Sequence, residues 1–172
     1  VALSVPSRNT RDVTDLVSEG RLDLAVCVPP SGRSALAVVG RTAIRYALVA
    51  QPHHRLTRGT LTWERVVAEP LVLIERTAVI RQNFELLLRR RGLLDRIRIA
   101  AEVSSPELSV DMVQMGYGVA LAPVTRAMAA DPGSVVLLPP PSGLARIDRA
   151  VIYRRDSYQP RYMREFVALA AR

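Results

Sequence analysis

Apolar residues at the start of the chain follow first a strand spacing and then a helix spacing. Residues 1–5 alternate apolar with smaller or polar side chains, as in a half-buried strand. The next apolar positions are spaced as on one face of a helix, which either Asn9 or Thr10 can cap. Residues 22–28 are then almost continuously apolar, which is typical of a buried parallel strand. The order strand, helix, strand predicts an α/β fold with a parallel sheet.

The alternation of short apolar runs and amphipathic stretches continues to the end of the chain. The clearest helix covers residues 79–91, with Ile80 and Phe84 at helical spacing, and Gly92 marks its C-terminus. Trp63 and Phe84 are expected in the core. Strands are also predicted at residues 35–39, 44–50, 71–74, 97–103, 119–122, 135–138 and 147–153, and helices at residues 62–67, 106–115, 125–130 and 161–171.

The composition allows a globular core and argues against a membrane protein. Of the 172 residues, 49% are apolar, yet no apolar run approaches the roughly 20 residues that a membrane-spanning helix needs. The formal net charge is +8, and every basic residue is an arginine. Apart from a cluster at the end of the predicted helix 79–91, where cations complement the helix dipole, these arginines are scattered. We therefore expect solvated helix ends and loops, with no DNA-binding surface in this chain.

Side chains with reactive chemistry are few. Cys27 is the only cysteine and lies in an apolar run, so a buried thiol without a disulfide partner is expected, as in a cytoplasmic protein. His53 and His54 are adjacent in a predicted turn, without Cys, Asp or Glu at metal-ligand spacing, and are expected to be solvated. We find no paired carboxylates, nucleophile–base pair or glycine-rich phosphate loop. The sequence thus predicts no enzyme, no metal and no cofactor.

Four segments of the chain are informative as a set. They are EGRLDLAV at residues 19–26, YALVAQPHHRL at residues 46–56, LTWERV with EPLVL within residues 61–73, and MVQMGYGVALAP at residues 112–123. In their order and spacing these segments resemble the effector-binding domains of LysR-type transcriptional regulators, and together they cover most of the chain. Arg55 departs from the pattern, since the family usually has proline at this position.

The resemblance implies a two-lobed α/β fold of the type 2 periplasmic-binding-protein kind, joined by two crossover strands. We place the second crossing near residues 154–158, so that lobe II covers residues 46–155. Lobe I is then formed by residues 1–45 and by the returning residues 156–172. Compared with the family pattern, the sequence lacks the N-terminal winged helix-turn-helix and the strand and helix that normally begin lobe I. The first lobe is therefore expected to be truncated.

The function implied by the resemblance is ligand sensing. A small-molecule effector is expected to bind between the lobes and to modulate DNA-bound oligomers allosterically, with a homodimer or a higher homo-oligomer as the assembly. DNA is expected to be contacted only through the absent N-terminal domain. The main alternative is a solute-binding receptor of a transport system with the same fold. An enzyme on this fold, such as a deaminase or a dehydratase, is a third alternative.

The ligand site is expected in loops that follow strands, where helix N-termini offer unpaired N–H donors. The resemblance adds an effector-contacting threonine at the position of Thr10. The predicted ligand contacts are Asn9, Thr10, Val28, Arg76, Thr77, Arg81, Gln82, Ser104, Ser105 and Pro106. Simple helix capping is the competing interpretation for the polar residues that precede helices. The competing interpretation for Val28 is that it only shapes the wall of the site.

The charges near these loops indicate the kind of effector. Arg76 and Arg81 lie near the start of the helix 79–91, where the helix dipole favours anions. Their partner is therefore either Glu75 in the same loop or a bound acid. With Arg8 counted as well, the charge near the loops is positive, and we expect an anionic or polar effector.

Overall fold

The structure is a computed structural model that describes residues 4–6, 8–32, 35–124, 128 and 134–170. The chain divides into two compact units, Val1–Ile44 with Arg146–Arg172 and Arg45–Ala145. The predicted strand over residues 1–5 falls partly outside the described residues, and residues 4–6 form no strand. The predicted helix over residues 125–130 falls almost entirely outside them.

The described residues form eight strands and five α-helices. In chain order they are α1 (Thr10–Ser18), β1 (Leu24–Cys27), β2 (Leu36–Ala43), β3 (Tyr46–Ala50), α2 (Trp63–Val67), β4 (Pro70–Ile74), α3 (Val79–Arg90), β5 (Arg98–Val103), α4 (Pro106–Gln114), β6 (Val119–Pro123), β7 (Val136–Leu138), β8 (Asp148–Arg154) and α5 (Arg161–Ala170). Short 3₁₀ turns at Arg55–Thr57 and Leu94–Arg96 complete the list. No helix among these residues is long and apolar enough to cross a membrane.

The first unit is built on a three-stranded sheet. β8 lies between β1 and β2 and is antiparallel to both. α1 packs on one face of this sheet through a small apolar core of Val13, Val17, Ala25, Leu36 and Ile152. α5 contacts β2 and buries Met163, while Tyr162 and Leu169 on the same helix remain exposed.

Two sequence expectations differ from the described residues of this unit. The parallel sheet expected from residues 1–28 is not formed, because residues 4–6 are not a strand and β1 pairs only with the antiparallel β8. The division at Ala145/Arg146 lies ten residues before the predicted end of lobe II at residue 155. The physical reason is that β8 pairs along its length with β1 and β2, so it belongs to the first unit.

The second unit contains a mixed five-stranded sheet in the order β5-β4-β6-β3-β7. β4 runs parallel to both β5 and β6, whereas β3 is antiparallel to β6 and β7. α2 and α3 pack Trp63 and Phe84 against each other, with ring centroids 5.5 Å apart. The Trp63 indole N–H donates to the Ser142 carbonyl at 2.9 Å, which satisfies its one polar atom in the core. The expectation that these two aromatic residues belong to the core is confirmed.

Candidate functional site

Two loops of the second unit leave the same edge of its sheet. β4 and β5 are parallel neighbours, and their last residues, Ile74 and Val103, are paired. The Glu75 N–H donates to the Val103 carbonyl at 2.9 Å, which extends this pairing into the first loop. Residues 75–78 then lead into α3, and residues 104–105 lead into α4. The topology therefore brings two helix N-termini together at the carboxyl ends of adjacent parallel strands, where ligands of α/β proteins commonly bind.

The N-terminus of α3 has no cap from its own sequence. Its N-cap residue, Ala78, offers no side-chain hydrogen bond, and its first turn contains no acidic residue. Among the described residues, no backbone acceptor is found for the N–H groups of Val79, Ile80 and Arg81. Three unpaired donors and the positive end of the helix dipole therefore face the same position, which favours an anionic or polar partner.

The loop before α3 is held by its own side chains. The Thr77 hydroxyl donates to the Glu75 carboxylate at 2.8 Å, and the Ala78 N–H donates to the Glu75 carbonyl at 3.0 Å. The Gln82 side-chain amide donates to the Arg76 carbonyl at 3.2 Å, so Gln82 supports the loop from inside the helix. The Arg76 guanidinium is exposed and forms no ion pair with a described residue. Glu75, one of its two expected partners, instead binds Thr77.

The start of α4 matches its sequence signals. The Ser105 hydroxyl accepts from the Leu108 N–H at 3.2 Å and is the N-cap, and Pro106 is the first helical residue. Capping, the competing interpretation for Ser105, is thus borne out. Ser104 is exposed and follows the paired end of β5 directly. Of the two serines, Ser104 is the one whose hydroxyl is not used by the helix.

Arg81 was expected to face the ligand, but the structure buries it. Its side chain is 1% exposed, and its Nε–H donates to the Glu85 carboxylate at 2.6 Å. Its Nη1 group donates to the Ile74 carbonyl at 3.1 Å and to the Glu102 carboxylate at 3.3 Å. These contacts replace the predicted ligand contact, because a side chain with this burial is not accessible to a solute. The positive charge expected near the loop is also reduced, since two carboxylates compensate Arg81.

The predicted residues of the first unit occupy the start of α1 and the end of β1. The Asn9 side chain, rather than the Thr10 hydroxyl, caps α1, accepting from the Asp12 N–H at 2.9 Å. Thr10 is the first helical residue and is half-buried, and its carbonyl accepts from the Thr14 hydroxyl at 2.6 Å. Val28 directly follows β1 and is half-buried. A role of these residues in ligand binding stays a prediction.

A polar cluster that the sequence did not indicate lies before β4. Glu69 is buried, forms a close ion pair with Arg55, and lies 3.6 Å from His54 Nε2. His54 Nδ1 accepts from the Leu56 N–H at 3.2 Å, so this histidine caps a 3₁₀ turn instead of being solvated as expected. Part of this cluster had a signal in the sequence, because Arg55, which pairs with Glu69, stands where the family usually has proline. No group of metal-binding side chains is found among the described residues.

Two other ionisable side chains are adjusted by burial. Burial raises the pKa of the Tyr46 hydroxyl to about 12. Burial also raises the pKa of the half-buried Cys27 thiol, against the opposing effect of a hydrogen bond with Thr14. Because the thiolate is the reactive form, this thiol is held in its inert state, in agreement with a structural role.

The model of the LysR substrate binding domain family matches residues 1–172. A comparison with curated proteins found no match.

Three solved structures illustrate the structural match. The cofactor-binding domain of the Cbl transcriptional regulator superposes with a TM-score of 0.82 at 18% identity, over 95% of this chain and 72% of that one. The effector-binding domain of QuiR in complex with shikimate gives 0.78 at 15% identity, over 95% and 77%. HinK, a LysR family regulator from Pseudomonas aeruginosa, gives 0.76 at 19% identity, over 96% and 58%. At these identities the matches show the fold, and they confirm the fold class expected from the sequence.

Proposed function

We propose that the effector of this chain carries a carboxylate or another small oxyanion. The premise is that the chain belongs to the LysR substrate binding domain family, whose model matches residues 1–172. Domains of this family are ligand-binding regulatory parts of transcription factors and are not enzymes. The oxyanion would bind at the edge of the second unit formed by residues 75–78 and 104–105. The uncapped N-terminus of α3 is the observation that carries this proposal, because its three N–H donors have no described acceptor.

The side chains beside these donors support the same kind of ligand. The Arg76 guanidinium is exposed and has no ionic partner among the described residues, so it is available for a charge-assisted hydrogen bond. Ser104 directly follows Val103, the residue of β5 that pairs with the end of β4, and adds an exposed hydroxyl. Glu75 carries the opposing negative charge in the loop. One of its carboxylate oxygens accepts a hydrogen bond from the Thr77 hydroxyl within the same loop. Shikimate, which the QuiR structure contains, is a carboxylate and a reasonable first probe.

The experiment is a thermal-shift screen of small carboxylates and phosphates that starts with shikimate, followed by calorimetric titration. A ligand that binds only the folded state raises the apparent melting temperature. Arg76→Ala removes one charge-assisted hydrogen bond and is expected to lower the affinity for the tightest-binding ligand of the screen about tenfold or more. Arg58→Ala removes another exposed arginine of the same unit, away from the loops, and should leave the affinity unchanged.

The outcomes separate a specific site from general electrostatic attraction. Equal losses in the two arginine variants would mean that net charge, and not this loop, attracts the ligand. Thr10→Val removes one neutral hydroxyl of the first unit and tests the prediction that Thr10 also contacts the ligand. Thr10→Val is expected to lower the ligand affinity less than Arg76→Ala does, because a neutral hydrogen bond is weaker than a charged one.

The assembly is also a proposal. We expect homodimers, and the exposed apolar side chains of Leu86 on α3 and Ile99 on β5, 41% and 42% exposed, are candidates for contact with a second copy of the chain. Light scattering at high micromolar concentration tests it, and a monomer would contradict it. The cytoplasmic location and DNA binding through an N-terminal helix-turn-helix stay predictions. The alternative of a transport receptor gains no support from the structural matches.

A further inference from the structure

Arg81 is the most deeply buried charged side chain among the described residues. Its relative exposure is 2%, and it lies in the first turn of α3, three residues after the uncapped N-cap. Removing a guanidinium from water is costly, and a buried ion pair is often no more stable than apolar side chains of the same volume. Burial of this arginine therefore needs a reason other than the stability of the core.

The hydrogen-bonding capacity of Arg81 is not fully used within the described residues. Its Nη2 atom is buried without a hydrogen-bond partner among the described residues, and the Arg81 side chain lines a cavity of about 10 Å³. The cavity is lined by Leu73, Ile74, Ile80, Arg81, Phe84 and Leu121. Its size is at the lower limit for one water molecule.

The contacts of Arg81 join the elements that frame the proposed oxyanion site. Glu85 lies one turn further along α3, Ile74 is the last residue of β4, and Glu102 is the penultimate residue of β5. The loops 75–78 and 104–105 start directly after these two strand ends. A single guanidinium thus connects the start of the helix to both strands from which the loops emerge.

We infer that Arg81 is a positioning residue for the proposed effector site. Its guanidinium fixes the first turn of α3 against the ends of β4 and β5. This keeps the N–H groups of Val79 and Ile80 aligned towards one point. The planar guanidinium can hold several acceptors at fixed angles, which an ammonium group or an apolar side chain cannot do. The inference rests on the proposed function, but the mechanical part can be measured without any ligand.

The first test is hydrogen exchange in the ligand-free protein. The amides of Glu75, Ala78 and Gln82 are suitable probes, because each donates a hydrogen bond that fixes the loop or the first turn. In Arg81→Met these three amides are expected to exchange at least about tenfold faster than the change in global stability explains. The control is Arg98→Met, which removes an arginine that bonds the Ala68 carbonyl at the other end of β5. Exchange that rises no more in Arg81→Met than in this control overturns the inference.

A second variant covers the case in which Arg81→Met does not fold. Glu102→Gln keeps the guanidinium and weakens only its link to β5. Since the Glu75 amide donates to β5 at Val103, its exchange should then increase more than that of the Gln82 amide, which donates to the Ala78 carbonyl at the N-cap of α3. An equal change at both amides, or no change, contradicts the assigned link.

The effect on binding is measured with inorganic phosphate as the probe. Titration is followed through the amide shifts of Val79 and Ile80, and half-saturation in Arg81→Met should need about tenfold more phosphate than in the wild type. Arg98→Met should bind as the wild type does. If the wild type does not bind phosphate, the proposed site fails and the positioning role of Arg81 fails with it, whereas the exchange rates of the free protein still show whether Arg81 holds the first turn of α3 to the strands. Unchanged phosphate binding with faster exchange shows that the contacts of Arg81 are only structural and overturns the positioning role.

Discussion

The two units of this chain bury very different cores. The second unit places Trp63, Phe84, Leu48 and Leu71 at 1% exposure around a five-stranded sheet. The described residues of the first unit have only three strands and a core cluster of five buried residues, none larger than leucine or isoleucine. Hydrophobic stabilisation grows with the apolar area removed from water. We therefore expect the second unit to be the more stable of the two.

The largest expected consequence is separate unfolding of the two units. Trp63 is the only tryptophan, so its fluorescence reports the second unit, whereas circular dichroism reports both. With a urea dependence of roughly 1–3 kcal/mol per molar, a stability difference of a few kcal/mol separates the midpoints by roughly 1–2 M. The circular dichroism signal should start to fall at the lower concentration. Superimposed transitions would mean that the chain unfolds as one cooperative body, and the comparison of separate cores would then fail.

A second prediction compares one glycine from each unit. Gly118, with φ +143°, precedes β6, and a Cβ atom there would overlap the Pro70 carbonyl group. Gly20, with φ +73°, follows α1, and its Cβ would approach only Arg154 Nη1, at 3.1 Å, the end of a flexible side chain. Gly118→Ala should therefore lower the free energy of unfolding by roughly 2–4 kcal/mol, because the backbone itself must shift.

The loss for Gly20→Ala is expected to be smaller, about 1–2 kcal/mol, which is the cost of a left-handed backbone with a Cβ atom. Urea denaturation followed by tryptophan fluorescence measures the first variant, and circular dichroism measures the second. A loss in Gly20→Ala as large as that in Gly118→Ala would show that the first unit packs as rigidly as the second.

Much of the second unit was predictable because its signals are local. α3 was predicted over residues 79–91 and is formed by Val79–Arg90, since an amphipathic period and a following glycine act within one helix. The cap at Ser105 was likewise readable, because its hydroxyl accepts from the N–H of a residue three positions ahead. The resemblance to the family supplied what local patterns could not, namely the two-lobed fold.

The errors concern contacts between distant parts of the sequence. β8 was predicted as a strand, but its pairing with β1, more than 120 residues earlier, cannot be read from alternation. The burial of Arg81 depends on Glu102 in the next strand, although its spacing of four residues from Glu85 was a visible signal. Asn9 and Thr10 were equally good caps by sequence, and only the backbone geometry selected Asn9.

The smallest expected effect concerns the exposed side of α5 in the first unit. Leu169 is 67% exposed and Met163 is 4% exposed on the same helix. Leu169→Ala should change the free energy of unfolding by no more than about 0.5 kcal/mol, because a side chain in water loses little when it is shortened. Met163→Ala should cost roughly 2–5 kcal/mol, since it removes buried volume and leaves a cavity. Both are measured by urea denaturation followed by circular dichroism.

A large loss for Leu169→Ala would require contacts that the described residues do not provide. It would show that the outer face of α5 is covered in solution, and a dependence of this loss on protein concentration would identify a second copy of the chain as the cover. The first unit would then draw part of its stability from assembly, and its small core would not be its whole core. If Leu169→Ala lowers the free energy of unfolding only slightly, and equally at all protein concentrations, the difference between the two cores stands. The stability of the first unit then depends only on the few side chains that it buries itself.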